Sequence, residues 1–126
     1  MKIVIETIPH DKQRYETVGD WWVEKDTNVL QIRVSEMGDD RYHFLVALHE
    51  LVEATLCNDR GISVLEVDEF DKAFEAKRPA GNTDEPGDDP DAPYHLEHGF
   101  ATGIERLLAS ALGLNWTDYD DAVMAL

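Results

Sequence analysis

The sequence predicts an α+β fold: a small, mostly antiparallel N-terminal sheet that packs against three helices. Three observations support this class. β-branched residues concentrate in residues 1–35, helical spacing of apolar residues begins at about residue 40, and no internal repeat interrupts this order. Strands that precede helices, rather than alternate with them, are typical of α+β proteins. At 126 residues, the chain has the size of a single domain with one hydrophobic core.

The sheet region is predicted to contain three strands. Residues 2–8 are rich in β-branched side chains and end at Pro9, which favours a strand. Two further β-rich segments, 20–24 and 29–35, flank the polar turn 25–28, which is the pattern of a hairpin. We expect the Trp pair in the first of these segments to pack in the core and at the surface rather than to bind a ligand.

Three helices are predicted to follow the sheet, over residues 40–60, 62–77 and 93–112, since each segment has helical apolar spacing. The intervening segment 78–93 contains four of the five prolines and many acidic residues, and therefore predicts a long acidic loop. Loops of this length in compact domains are usually functional or mobile. The residues after position 112 are expected to form an acidic tail segment.

The charge of the chain limits the partners it can bind. Eleven Lys and Arg residues against twenty-seven Asp and Glu residues give a net charge of −16. This charge repels phosphate backbones and anionic lipid, so we expect neither nucleic-acid binding nor membrane association. The charge is compatible with the binding of metal ions or of cationic partners, and with mimicry of nucleic acid. The single cysteine, Cys57, excludes an intramolecular disulfide, and the first residues contain no apolar leader, so we expect a soluble cytoplasmic protein.

The predicted first helix contains the most informative segment, His49-Glu50-Leu51-Val52-Glu53. On a helical projection, His49 and Glu53 lie one turn apart within one apolar arc, where an imidazole and a carboxylate are costly unless a partner satisfies them. A divalent metal ion would satisfy both, because histidine nitrogen and carboxylate oxygen are metal ligands. Glu50, at the edge of the arc, would then occupy the position of a general base. The alternative is a buried His–Glu hydrogen-bonded pair without metal.

The predicted third helix carries a second polar cluster. A strip about 80° wide on this helix contains His95, His98, Thr102 and Glu105. We expect one histidine to be a third ligand, His98 in preference to His95, with Glu105 and Thr102 as hydrogen-bonding support. The alternative is a solvated helix face. The opposite side of the helix carries an apolar stripe that is expected to face the core: Leu96, Phe100, Ile104, Leu107 and Ala111.

These two clusters together resemble the zincin metallopeptidases, in which a His-Glu-x-x-His helix follows a mixed sheet and a later helix supplies a third ligand. The resemblance covers residues 20–60 and, more loosely, 93–106. It implies that His49 is the first ligand and Glu50 the catalytic glutamate, whereas Glu53 stands in place of the second histidine. A carboxylate there lowers the preference for zinc and leaves room for manganese or iron.

The chain also resembles small uncharacterised bacteriophage proteins. In those proteins a His-Glu-Leu-x-Glu-Ala helix precedes an acidic loop and a Tyr-His-x-Glu-His helix, and here these motifs span residues 49–54 and 94–98.

Two functions are therefore expected as alternatives. The first is a metal-dependent hydrolase, with zinc the favoured ion, that cleaves a peptide or protein substrate through a metal-activated water; His49, Glu53 and His98 would be its ligands and Glu50 its base. The second is a non-catalytic phage accessory protein in the host cytoplasm, which uses its negative charge to bind a protein partner or to mimic nucleic acid. Acidic residues clustered away from His49 would favour the second alternative.

Overall fold

The computed structural model describes residues 1–126 and has the predicted α+β class, with a three-stranded sheet and four helices. The predicted strands and helices are all present, and their ends lie within two residues of the predicted ones. None of the helices combines the length and the apolar character needed to cross a lipid bilayer. The elements, in chain order, are β1 (Lys2–Ile8), β2 (Gly19–Val23), β3 (Val29–Ser35), α1 (Asp40–Asp59), α2 (Val64–Ala76), α3 (His95–Ala111) and α4 (Trp116–Met124).

The sheet is mixed rather than mostly antiparallel, and its strand order is β1-β3-β2. β2 and β3 pair antiparallel, which confirms the predicted hairpin, but β1 runs parallel to β3. The difference arises from the connection between β1 and β2. Instead of making a tight turn, residues 9–18 carry the chain past one strand position to the far edge of the sheet, and β3 then fills the gap.

The hydrophobic core lies between this sheet and α1. Alternate residues of the central strand, Leu30, Ile32 and Val34, are buried and belong to one apolar cluster with Leu45 of α1. Cys57, from the last turns of α1, is a fully buried free thiol within the same cluster. The central strand and α1 therefore form a rigid support, and α1 carries the His49 motif on that support.

The segment expected to be an acidic tail is instead the helix α4. Its first turn is capped by Asn115, whose side chain accepts a hydrogen bond from the backbone N–H of Asp118. Tyr119 is fully buried and makes edge-on ring contacts with Tyr42 of α1 and with Trp116. The cap and the apolar spacing within α4 were the sequence signals for this helix.

The prediction that the apolar stripe of α3 faces the core is wrong, because α3 turns its opposite side inward. Leu96, Phe100 and Leu107 are 74%, 59% and 68% exposed, whereas His98 and Glu105 are buried. Polar contacts to α1 explain this orientation, since both buried residues touch His49. Packing of the apolar stripe would have separated these groups.

Candidate metal centre

The centre is formed where α1 and α3 pack side by side in opposite directions. Arg60, just beyond the C-terminal end of α1, pairs with Glu97 in the first turn of α3. About three turns back along α1, His49 contacts both His98 and Glu105 of α3. This antiparallel packing places the two polar strips found in the sequence face to face.

Three atoms from these helices form what we call the donor triangle: Nε2 of His49, Nδ1 of His98 and Oε2 of Glu53. The sides of the triangle are 3.1 Å from His49 to Glu53, 3.2 Å from His49 to His98 and 3.0 Å from His98 to Glu53. All three side chains are buried, with at most 7% of each residue exposed. His49 and Glu53 therefore share a buried face, as the helical projection predicted.

The spacing within the donor triangle fits a metal ion of the zinc type. Ligand atoms at about 2.0–2.1 Å from a tetrahedral ion lie about 3.3–3.4 Å from one another, only slightly further apart than the atoms here. Two imidazole nitrogens and one carboxylate oxygen are ligands that zinc, manganese and iron all accept. Three such ligands leave a fourth tetrahedral position open.

His49 has the hydrogen bond that a metal-binding histidine needs. Its Nδ1–H donates to Oε1 of Glu105 at 2.7 Å, so in the neutral ring the Nε2 lone pair points into the donor triangle. Glu105 is itself held by the buried hydroxyl of Tyr119. Glu105 was expected to support His98, and in the structure it contacts His49 instead. The reason is the antiparallel packing, which brings Glu105 across to α1 rather than along its own helix.

The acidic loop, and not a neighbour on α3, supports His98. Nε2 of His98 lies 2.9 Å from Oε2 of Glu85 and 3.4 Å from Oδ1 of Asp88, although neither contact has good hydrogen-bond geometry. The loop also lies flat against the imidazole, since a Cβ atom on Gly87 would come within 2.3 Å of Cγ of His98. The loop of residues 78–93 therefore closes one side of the centre.

The other two residues of the predicted strip on α3 lie outside the donor triangle. Nδ1 of His95 donates to the carbonyl oxygen of Gly87 at 2.9 Å, so His95 secures the loop. The hydroxyl of Thr102 is buried without a hydrogen-bond partner and does not support either histidine. Both residues were expected to contribute to the site, but the helical periodicity of α3 points only His98 and Glu105, which are seven residues apart, toward α1.

Two residues that hold the centre were not predicted. The indole N–H of Trp21 donates to Oε1 of Glu53 at 3.1 Å, which fixes the carboxylate while Oε2 faces the donor triangle. Trp21 had been expected only to pack, and a buried indole N–H that needs an acceptor was the available signal. Glu85 belongs to a loop, where no periodic pattern indicates which side chain turns inward.

Glu50 lies beside the donor triangle on the wall of a cavity of about 340 Å³. Its carboxylate packs over Gly19 of β2, where an added Cβ would come within 2.5 Å of Oε1, so any larger residue at this position would displace Glu50. Burial, followed by the nearby charge of Glu53, raises the pKa of Glu50 well above its usual value. This is the direction that a general base working near neutral pH needs.

The charges around the donor triangle depend on one another. Burial disfavours charge on His98, but the carboxylates of Glu53 and Glu85 raise its pKa to about 10. Burial also disfavours charge on His49, but its hydrogen bonds to Glu105 and Glu53 outweigh this and raise its pKa well above 6.5. Burial alone would raise the pKa of Glu53, but its hydrogen bonds to the two histidines lower it to about 2. Without metal, protons therefore occupy the place that a cation would take.

Comparison with known proteins finds no matching family model, no similar curated protein and no similar solved structure. A functional assignment therefore depends on the geometry of the donor triangle and its surroundings.

Proposed function

We propose that this chain is a metal-dependent hydrolase and that a peptide bond is its target. The donor triangle carries the proposal: three potential ligands are buried and within 3.2 Å of one another, with His49 and Glu53 oriented by hydrogen bonds to Glu105 and Trp21. The carboxylate of Glu85 lies beside the third, His98. Such a set is costly to bury unless something binds it. Zinc is the favoured ion, and the single carboxylate leaves room for manganese or iron.

The residues around the donor triangle would have different roles in hydrolysis. A divalent ion bound there would polarise a carbonyl group and make a water molecule more acidic. Glu50 would accept the proton of the attacking water as the new C–O bond forms and would return it to the amine as the C–N bond breaks. Glu105 holds the imidazole of His49 through a hydrogen bond, and the carboxylate of Glu85 lies 2.9 Å from Nε2 of His98.

The cavity next to Glu50 is suited to a short stretch of peptide. Its volume of about 340 Å³ is at the lower end of the range for small-molecule sites, enough for one or two residues of a chain. Its wall includes Trp21 and Val46 as well as polar groups such as Asp71, which accepts hydrogen bonds from Tyr15 and Tyr94. An apolar and polar wall of this kind can pack a side chain while it orients the peptide backbone.

The direct test is the metal content of the purified protein. We expect one zinc, manganese or iron ion per chain after supplementation with each metal and removal of excess, measured by elemental analysis. The double variant His49→Ala/Glu53→Ala, which leaves one side chain of the donor triangle, is the control and should retain none. Metal well below one ion per chain in the wild type would contradict the proposal, and it would favour the metal-free His–Glu network and the accessory-protein alternative.

Metal binding should release protons at neutral pH, because the pKa of both histidines is raised in the metal-free protein. Each imidazole must be neutral to coordinate, so protons compete with the metal and affinity rises with pH up to about the His98 pKa of 10. At pH 7 we expect one to two protons released per ion, against about half a proton for two histidines with the ordinary pKa.

Titration calorimetry in buffers of different ionisation enthalpy measures this release. A release of half a proton, with affinity that stops rising at about pH 7, would mean that the pKa of the two histidines is not raised in the metal-free protein. Metal affinity that does not depend on pH at all between pH 5 and pH 10 would mean that the two histidines are not the ligands.

A further inference from the structure

The outward face of α3 is apolar and has no partner within the chain. Leu96, Phe100 and Leu107 lie on this side at helical spacing and are each more than half exposed. Ala111, one further turn along, is also exposed. Single exposed leucines are ordinary, but an apolar stripe along the full length of a helix indicates a surface that another molecule covers.

Two glycines on α3 point to a close neighbour. Gly99 and Gly103 are exposed, lie one turn apart inside the helix, and would each have open space around an added Cβ. Glycine in a helix interior is less stable than alanine, and the rest of the chain supplies no steric reason for it here. A second helix that approaches the backbone closely would supply that reason.

The charge of this face favours a second copy of the chain over a basic partner. In a protein of net charge −16, the exposed positions of α3 contain no acidic residue, since Glu97 and Glu105 are both buried. The one exposed charge is Arg106, whose guanidinium lies 4.9 Å from the ring centre of Trp116. A basic partner would find no carboxylate on this face, whereas two copies can meet here without opposing acidic groups.

We propose that the chain forms a homodimer in which α3 packs antiparallel against α3 of a second copy, across a two-fold axis between Gly103 and Ile104. These positions are the centre of the helix, so the symmetry pairs Phe100 with the partner's Leu107 and Leu96 with the partner's Ala111. It also sets Gly103 against the partner's Ile104. Large residues then oppose small ones at two of the three positions.

The size of the face determines how tight the dimer is. A helix of 17 residues is about 25 Å long and, with its side chains, about 10 Å wide. Such a face covers less than the roughly 800 Å² per partner of a standard stable interface. We therefore expect a reversible dimer with a dissociation constant in the micromolar range, not an obligate one.

Sedimentation velocity of the full chain, from about 1 μM to about 500 μM, tests the dimer. The wild type should shift from monomer to dimer across this range, and Leu107→Glu should remain monomeric. Leu65→Glu is the matched control, because Leu65 lies on α2 and is 66% exposed against 68% for Leu107. Wild type that stays monomeric at the highest concentration would overturn the proposal, as would equal loss of association in both variants.

Gly103→Ala distinguishes a dimer interface from an exposed surface at which glycine has no packing role. The structure leaves room for the added methyl group and alanine favours a helix, so the monomer should melt at a higher temperature than wild type. The same methyl group should weaken the dimer at least tenfold. Stronger or unchanged association in Gly103→Ala would contradict close helix packing.

Salt provides an independent check on the identity of the partner. Two chains of charge −16 repel each other at long range, so added salt should strengthen the homodimer. Association that weakens with salt would indicate attraction between charged groups and would overturn the assignment of this acid-free face.

Discussion

Glu50→Gln is expected to leave the metal content unchanged and to reduce peptide hydrolysis by at least about a hundredfold, the lower bound for loss of a general base. Glu50 is not part of the donor triangle, and its carboxylate faces the cavity over Gly19. The amide has the same size and fits the same space, but it cannot accept the proton of an attacking water. Metal analysis and turnover on a diverse peptide library, with the same preparation, measure the two effects separately.

Glu69→Gln is a suitable control for this variant. Glu69 is exposed on α2 and does not line the cavity, so its substitution makes the same change of charge without touching the centre. Loss of metal in Glu50→Gln alone would mean that Glu50 is a ligand or a structural residue. If the metal-loaded wild type cleaves no peptide in the library, the peptidase proposal is wrong, and the acidic accessory function becomes the better explanation.

The part of the site that could be predicted from sequence is the part that lies on one helix. His49 and Glu53 are separated by one turn, and helical geometry alone places them on a common face. Their burial then follows from the apolar residues that share this arc. The partners of these two residues were not predictable in this way, because Trp21 and Glu105 reach them from other elements across long separations in sequence.

The errors in the predicted fold have the same origin. The direction of β1 depends on where residues 9–18 cross the sheet, which no local pattern records. The orientation of α3 follows from a competition between its two faces. Hydrophobicity predicted that Phe100 would be buried, but burial of His98 and Glu105 against α1 takes precedence and leaves Phe100 exposed. A polar strip that opposes another polar strip is a feature of the pair of helices, not of either alone.

His98→Ala is expected to lower metal affinity by more than the 10- to 100-fold typical of losing a partner that only orients a ligand. The substitution removes Nδ1 from the donor triangle, whose remaining atoms, on His49 and Glu53, belong to one helix. His95→Ala is the matched control, since it changes the same residue type three positions earlier and removes only the hydrogen bond to Gly87. Its effect should be below tenfold.

Glu85→Gln completes this series with an expected loss between those of the two histidine variants. Glu85 touches only Nε2 of His98, the nitrogen outside the donor triangle, so its loss should leave the ring as a ligand but free to tilt. Asp91→Asn, an exposed change of charge in the same loop, should leave affinity unchanged. Competition with a chromophoric chelator gives the four affinities, and circular dichroism verifies that each variant is folded. Equal losses for His95→Ala and His98→Ala would mean that both histidines coordinate, and a larger loss for His95→Ala would overturn the donor triangle as the metal site.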